Sequence, residues 1–147
     1  MSEKHFRMAV AIWLAACGAC RAGGEPAVDT SNLQKIGVDF SLAERERCKR
    51  ADRSPAVKLS AIPPGGVSYD VKMTDLDAPD FKHWAQTIDS NDGLIHANAG
   101  ARAGYRGPAC PANGHRYRIS VLVRDRQHHP VAYGEKTVVA ERAEGPQ

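Results

Sequence analysis

The feature that most constrains the fold of this chain is an alternation of apolar and polar side chains with a period of two. It is clearest in residues 67–74 and 117–124, where the odd-numbered positions are apolar and the even-numbered ones, except Leu122, are polar. Successive side chains of a β-strand point to opposite faces, so each stretch predicts a strand with one buried face. Residues 57–59 and 131–141 predict further short strands, separated by turns rich in glycine and proline.

These short strands predict an all-β domain, either a sandwich or a barrel-like arrangement of antiparallel strands. One helical turn is compatible with residues 42–49, and no longer stretch keeps a helical period. Of the 147 residues, 42% are apolar, which is enough for one buried core. The 20 basic and 17 acidic residues show no clustered excess of positive charge, so a nucleic-acid partner is not expected.

The first residues have the composition of a secretory signal. Lys4 and Arg7 precede nine consecutive apolar residues, 8–16, and small residues follow. Nine residues of helix would rise only about 14 Å, too little to cross a bilayer. The segment Leu14–Cys17 resembles the bacterial lipobox, in which the cysteine is lipidated and becomes the first residue; Cys20 is a poorer candidate. The alternative is an apolar N-terminal helix of a cytosolic domain.

Cleavage before Cys17 divides the chain into three parts. Residues 1–16 are the predicted signal peptide, 17–36 a lipidated tether with few large apolar residues, and 37–147 the folded domain. We therefore expect an exported protein that is anchored to a membrane by its N-terminal lipid. Because Gly18 rather than aspartate follows Cys17, the expected location is the periplasmic side of the outer membrane, if the cell has one.

Polar side chains occupy positions that the alternation assigns to the core. Asp75 continues the apolar face of the first strand, and His115 and Tyr117 lie on the apolar face of the second. His83, next to Trp84, is a further candidate for the same place. If the two strands are neighbours, these side chains form a polar cluster at the end of an otherwise apolar core. Such a cluster is typical of a pocket for a small ligand. The alternative is that Asp75 and Asp77 only cap a turn and that the histidines merely end strands.

Three segments in this order resemble the phosphatidylethanolamine-binding protein family, in particular its bacterial Raf-kinase-inhibitor-like branch. The first is Cys48–Pro55, the second is Asp75–Pro79 followed by His83–Trp84, and the third is Gly104–Pro111 followed by Gly114–Tyr117. The resemblance implies a β fold of two antiparallel sheets with few short helices and a small pocket for an anion. Matched residue by residue, it implies these ligand-binding positions: Asp75, Pro79, His83, Gly107, His115 and Tyr117.

From this resemblance we expect a non-catalytic binder without a cofactor. Its ligand would be a phosphate-containing or other anionic small group such as a phospholipid headgroup, and it could also modulate a partner protein. Imidazole, phenol and main-chain N–H groups are suitable donors to phosphate oxygens. Asp75 would either orient a histidine or, if protonated, donate to the anion itself. Arg116 lies on the opposite strand face from His115 and is expected to pair with Asp77.

Cysteines in the bacterial relatives stand at, or one place from, the positions of Cys48 and Cys110. The resemblance therefore suggests a disulfide between them, which would close a loop of about 60 residues and stabilise the fold by about 2–4 kcal/mol. The alternative is that both remain buried free thiols.

Two other functions remain open at this point. Asp75, Asp77, His83 and His115 together could ligate a divalent metal in a hydrolase, although no His-x-x-x-His helix accompanies them. The domain is also short for the family, with a shortened loop between Pro79 and His83. A structural lipoprotein with a shallower, vestigial pocket is therefore the other alternative.

Overall fold

A computed structural model of the protein describes residues 27–42, 53–108 and 114–140. These residues form mainly strands, with one short 3₁₀ helix at Ala99–Ala103. In chain order the strands are β1 (Gln34–Lys35), β2 (Gly37–Asp39), β3 (Val57–Ser60), β4 (Ser68–Asp75), β5 (Lys82–Asp89), β6 (Leu94–Ile95), β7 (Arg116–Arg124) and β8 (Pro130–Val139).

The strands form two sheets. The larger sheet has the order β1-β8-β7-β4-β5, and the smaller one has the order β2-β3-β6. All neighbours are antiparallel except β1 and β8, which run parallel. The predicted mainly β fold with two sheets and few short helices is therefore confirmed.

The centre of the core lies on β4 and β7, the two strands that the period-two pattern predicts most clearly. They are antiparallel neighbours, with Val71 opposite Val121 and Met73 opposite Ile119. These side chains are at most 2% exposed. The predicted strands at residues 57–59 and 131–141 are also present, as β3 and β8.

Strand β5 departs from simple alternation because it contains an irregularity in its pairing with β4. Met73 faces Trp84 and Thr74 faces Lys82, so His83 has no opposite residue. A bulge of this kind lets two consecutive side chains turn to the same side. As a result, His83 and Trp84 are both buried.

The large sheet begins within residues 17–36, the stretch expected to be a tether. Gln34 and Lys35 pair with β8, and Ile36 is buried in the core. Directly after β1 the chain crosses over Gly134 of β8 into the smaller sheet. A Cβ at position 134 would overlap the carbonyl oxygen of Ile36, so only glycine permits this close approach.

Several predictions concern segments outside the described residues. These are the signal peptide at 1–16, the lipidation of Cys17, residues 43–49 of the predicted helical turn and the Cys48–Cys110 disulfide. In the part of the chain that is described, no helix has the length and apolar character needed to span a membrane.

Candidate functional site

The candidate site lies at the end of the large sheet where β4 stops and β5 and β7 start. In the register of β4 and β7, Asp75 lies directly opposite Tyr117. His115 immediately precedes β7, and the β5 bulge turns His83 toward the same place. The sheet therefore brings together the carboxylate, both imidazoles and the phenol that the sequence singled out.

The carboxylate of Asp75 is buried and fully engaged. Its Oδ1 accepts the N–H groups of Asp77 (2.8 Å) and Ala78 (3.1 Å), which caps the turn after β4. Its Oδ2 accepts a hydrogen bond from His115 Nδ1 at 2.7 Å, and the Tyr117 hydroxyl also donates to this carboxylate. Capping the turn and orienting a histidine are therefore not alternative roles for Asp75, because its carboxylate performs both.

This hydrogen bonding determines the charge of Asp75. Burial acts to raise its pKa, but the hydrogen bonds from His115, the Asp77 amide and Tyr117 outweigh burial and lower it. Asp75 is therefore ionised at neutral pH. Of its two expected roles, this environment favours orienting a histidine over donating a proton to an anion.

His115 is the member of the site that is open to solvent, with 39% of its side chain exposed. The hydrogen bond to Asp75 raises the pKa of His115, and its attraction to the same carboxylate adds to the effect. Since the bonded Nδ1 carries a proton, the Nε2 atom is left for a ligand. When His115 is charged, that atom is a cationic donor suited to an anionic oxygen.

His83 is only 4% exposed and is held by the segment that follows the 3₁₀ helix. Its Nδ1 lies 2.6 Å from the carbonyl oxygen of Arg106, and its own carbonyl accepts the Arg106 N–H at 2.8 Å. A carbonyl oxygen can only accept, so Nδ1 carries the proton and Nε2 faces Asp75 Oδ2, 3.9 Å away. Gly107, the expected amide donor, is buried directly after Arg106.

Two contributors to this arrangement were not identified from the sequence. Phe81 is 47% exposed and its ring lies 4.6 Å from that of His83, forming an apolar wall beside the imidazole. Arg106 contributes only its backbone. A turn phenylalanine and a main-chain carbonyl carry no periodic signal, so only the proximity of Phe81 to His83 in sequence could have pointed to it.

The aromatic contacts fix the positions of the rings in the site. His83 meets Tyr117 edge to face at 5.2 Å, and His115 lies over Tyr117 at 6.4 Å with 29° between the planes. Burial raises the pKa of Tyr117, and the neighbouring Asp75 raises it further, so the phenol remains a neutral donor. Phe81 and His115 are the exposed rings on either side of this buried pair.

Pro79 and Asp77 lie in the turn that Asp75 caps. Unlike Asp75 and His83, they are exposed to solvent. Pro79 is exposed, in keeping with a rim position. Arg116 donates through Nη2 to Asp77 Oδ1 at 2.8 Å, and its amide donates to Oδ2, which confirms the expected pairing. The Arg116 hydrogen bonds lower the pKa of Asp77 to about 2.

The side chains of the metal alternative lie near one another, but their carboxylates are already occupied by other donors. Both carboxylate oxygens of Asp77 are bound by Arg116, and those of Asp75 accept four donors. Within residues 27–42, 53–108 and 114–140, no group of three or more histidine, cysteine, aspartate or glutamate side chains is arranged to hold a metal ion.

An open cleft of about 420 Å³ lies at the opposite end of the large sheet, formed by the turns before β4 and after β7. Its lining includes Gly66, Asn91, Asp125 and Arg126. The Asp125 carboxylate is occupied by the amides of its own turn, at Gln127 and His129. Since the carboxylate of this cleft serves its own turn, the cluster around Asp75 is the better candidate site.

Comparison with known proteins agrees with this fold and its motifs. A family model described as phosphatidylethanolamine-binding protein matches residues 28–145, most of the chain. The crystal structure of E. coli YbcL, described as a new member of the mammalian PEBP family, superimposes with a TM-score of 0.51. That similarity covers 63% of this chain and 82% of YbcL at 21% sequence identity, which supports the fold alone. No curated protein sequence matches the chain. On the family match, this chain belongs to the phosphatidylethanolamine-binding protein family.

Proposed function

We propose that this protein is an exported, lipid-anchored, non-catalytic binder of a phosphate-containing or other anionic small group. The group would be bound at the cluster of Asp75, His83, His115 and Tyr117, with the Gly107 amide and Pro79 at its edge. The observation that carries the proposal is the exposed His115 imidazole held in place by the buried Asp75 carboxylate.

The charges at the site support an anionic ligand. Asp75 fixes the tautomer of His115 and favours its charged form, so Nε2 can donate to a ligand oxygen. Asp77, the nearest other carboxylate, is neutralised by Arg116. The family name adds phospholipid headgroups to the ligands worth testing.

The same geometry supports binding without catalysis. In the described parts of the chain, neither His83 nor His115 is hydrogen-bonded to a serine or threonine hydroxyl that it could activate as a nucleophile. His83 Nδ1 is committed to a main-chain carbonyl and His115 Nδ1 to Asp75. We therefore propose that the imidazoles hold the ligand, and that any regulatory effect is exerted on a partner protein.

The proposal is tested by titrating the chain from residue 21 onward, which retains every described residue. Inorganic phosphate and phosphoethanolamine are added while the histidine ring signals are followed by NMR. Both ligands should shift the signals of His83 and His115. His115→Gln should weaken phosphate binding about tenfold through loss of the charged donor, whereas His129→Gln, at the exposed turn before β8, should leave it unchanged.

Other outcomes would contradict the proposal in distinct ways. A response to zinc alone would favour the metal-dependent hydrolase. No response to phosphate, phosphoethanolamine or zinc would favour a structural protein with a vestigial pocket.

The anchor is tested separately from the ligand. We expect the protein purified from bacterial membranes to begin at Cys17 and to carry a mass increase equal to a diacylglyceryl group, with or without a further acyl chain. The Cys17→Ala variant should be recovered without lipid. An unmodified wild-type chain that still contains residues 1–16 would contradict an exported lipoprotein.

A further inference from the structure

One long edge of the large sheet is open in the described part of the chain. Strand β5 is the last strand in the order β1-β8-β7-β4-β5 and has eight residues, whereas β1 at the other edge has two. The side of β5 that faces away from β4 therefore carries a row of main-chain N–H and C=O groups. Such a row is a template for pairing with another strand unless something protects it.

The orientation of β5 shows which residues supply this row. Alternate residues of a paired strand direct their N–H and C=O groups to opposite edges. The Ser90 amide bonds to Val67, just before β4, whereas the His83 carbonyl accepts the Arg106 amide from outside the sheet. Odd-numbered residues of β5 therefore point outward. The outward main-chain groups that no described residue bonds are those of Ala85, Thr87 and Asp89.

This stretch has few of the features that usually protect an edge strand. It contains no proline, and the bulge of β5 lies at His83, before the open row. The segment that follows the 3₁₀ helix covers the edge at His83 and, among the described residues, no further along. The side chains of Ala85 and Thr87 are exposed but small, and the charge of Asp89 stands only at the end.

The two ends of β5 carry opposite charges. At its start, the exposed side chains of Lys82 and Arg106 outnumber Asp80. At its end lie Asp89 and Asp92, and the Asp92 side chain is 54% exposed. An antiparallel copy of β5 sets the basic start of one strand against the acidic end of the other, whereas a parallel copy opposes like charges.

A second copy of this chain matches the open edge in both hydrogen bonding and charge. We propose that the protein forms a twofold dimer in which two β5 edges pair antiparallel, with Thr87 opposite the partner's Thr87. Ala85 then pairs with the partner's Asp89, and Asp89 with the partner's Ala85, so the whole row is bonded. The two large sheets become one continuous sheet. This inference concerns assembly and does not depend on the proposed ligand.

The register follows from which parts of the edge are free. A register moved toward the start of β5 needs the edge at His83, which Arg106 already occupies. A register moved toward the end runs past Ser90, where the chain leaves the strand, and brings Asp89 closer to the partner's Asp89. Only pairing centred on Thr87 uses every outward group of the row.

The size of the contact sets the expected strength. The paired stretch of residues 85–89 is short beside the about 20–30 residues that each partner contributes to a standard interface. We therefore expect a reversible dimer with a dissociation constant of about 10–100 μM.

Sedimentation equilibrium of the chain from residue 21 onward tests the dimer, at protein concentrations of about 5–500 μM that span the expected constant. The average mass should rise from that of a monomer toward that of a dimer, with or without reductant. A monomer at every concentration would overturn the proposal. A dimer that reductant removes would also overturn it, because cysteines would then join the copies.

A substitution at the centre of the edge connects the dimer to β5. Thr87→Pro removes the central outward N–H and should weaken dimerisation at least about tenfold, in a position where an edge strand tolerates proline. Thr87→Ser is the matched control, because it keeps the N–H and the hydroxyl and should dimerise as the wild type does. Unchanged dimerisation of Thr87→Pro would place the interface elsewhere.

Charge variants test the antiparallel orientation, even if Thr87→Pro fails to fold. Lys82→Glu and Asp89→Lys each bring like charges together across the interface, and each should weaken the dimer about threefold. The double variant exchanges the charges of the two ends and should recover most of the wild-type affinity. A double variant that is weaker than either single one would contradict the antiparallel pairing.

Amide hydrogen exchange followed by NMR identifies what covers the edge. The outward amides of Ala85, Thr87 and Asp89 should exchange more slowly as the protein concentration rises. Those of Gln86 and Ile88, which face β4, should be protected at every concentration. Protection of the outward amides that does not depend on concentration would show that another segment of the same chain covers the edge, and the proposed dimer would be wrong.

Discussion

Asp75 shows how much of the site depends on a single side chain. One oxygen caps the turn that carries Pro79, and the other orients His115. The alternation of side chains along two strands was sufficient to predict that Asp75, His115 and Tyr117 lie together, because β4 and β7 are neighbours in the sheet. Phe81 and the Arg106 carbonyl were not predictable in this way, since contacts between turns follow no repeat.

The pair of Asp75 and His115 predicts a specific pH dependence of stability. The raised pKa of His115 means that its stabilisation is complete below the usual histidine value and is lost as pH rises through the raised value. The lowered pKa of Asp75 means that its stabilisation is complete above the usual aspartate value and is lost as pH falls. The destabilisation caused by Asp75→Asn should therefore be largest between about pH 4 and 6.5.

Urea denaturation of wild type and Asp75→Asn across this range measures the difference. In the variant, NMR titration should also show the pKa of His115 falling toward its usual value. A difference in stability that grows steadily above pH 6.5 would show that the charged pair does not contribute in this way.

Arg116 is expected to act on Asp77 and not on the ligand. Its hydrogen bonds lower the pKa of Asp77 to about 2, so Arg116→Gln should return that pKa toward 3.8. Any stability gained from the shift is complete above the usual aspartate value and is lost as pH falls toward 2. Carboxyl carbon-13 shifts report the change. Phosphate affinity near neutral pH should fall by no more than about twofold, because Asp77 loses its counter-charge but the exposed charge is screened by solvent. A large loss of affinity would place Arg116 in the binding site.

Among the strands, those that bury side chains in a regular alternation are the ones that could be predicted from the sequence. β7, and β4 from Tyr69 onward, bury every second residue and were evident from the sequence. β5 buries two consecutive residues because of its bulge, which hides the alternation. β1 and β6 have only two residues each, too few to show any period.

The crossing of the chain over β8 makes Gly134 a sensitive position. Gly134→Ala would force the backbone of Ile36 away from β8, and we expect a loss of about 1–3 kcal/mol in the free energy of unfolding. Gly37→Ala is the matched control, because its added methyl meets only the Ser60 hydroxyl group, which can rotate away. Equal losses for the two variants in chemical denaturation would contradict this account of the crossing.

At the scale of the whole molecule, the start of the folded domain can be located by truncation. Residues 34–36 supply β1 and the buried Ile36, which the predicted boundary at residue 37 would remove. A chain of residues 27–147 should therefore be more stable than one of residues 37–147, by about 2–5 kcal/mol. Equal melting temperatures for the two truncated chains would support the boundary at residue 37.

The predicted Cys48–Cys110 disulfide lies outside the described residues and is tested at this same scale. If it forms, its closed loop of about 60 residues should contribute about 2–4 kcal/mol, so a reducing agent should lower the melting temperature. The Cys48→Ser/Cys110→Ser variant should melt at the lower temperature with or without reductant. Detection of both cysteines as free thiols in non-reducing peptide mapping would rule out the bridge.

The parallel pairing of β1 with β8 also sets the order in which the protein can mature. Strand β1 has its partner about 100 residues later in the sequence, and Lys136 reaches Asp39 across 97 residues. A chain that emerges N-terminus first, from a ribosome or a translocation channel, cannot complete this edge until β8, about 100 residues later, has appeared. Formation of such long-range contacts is slow, so the architecture itself delays compact folding for as long as the chain is in transit.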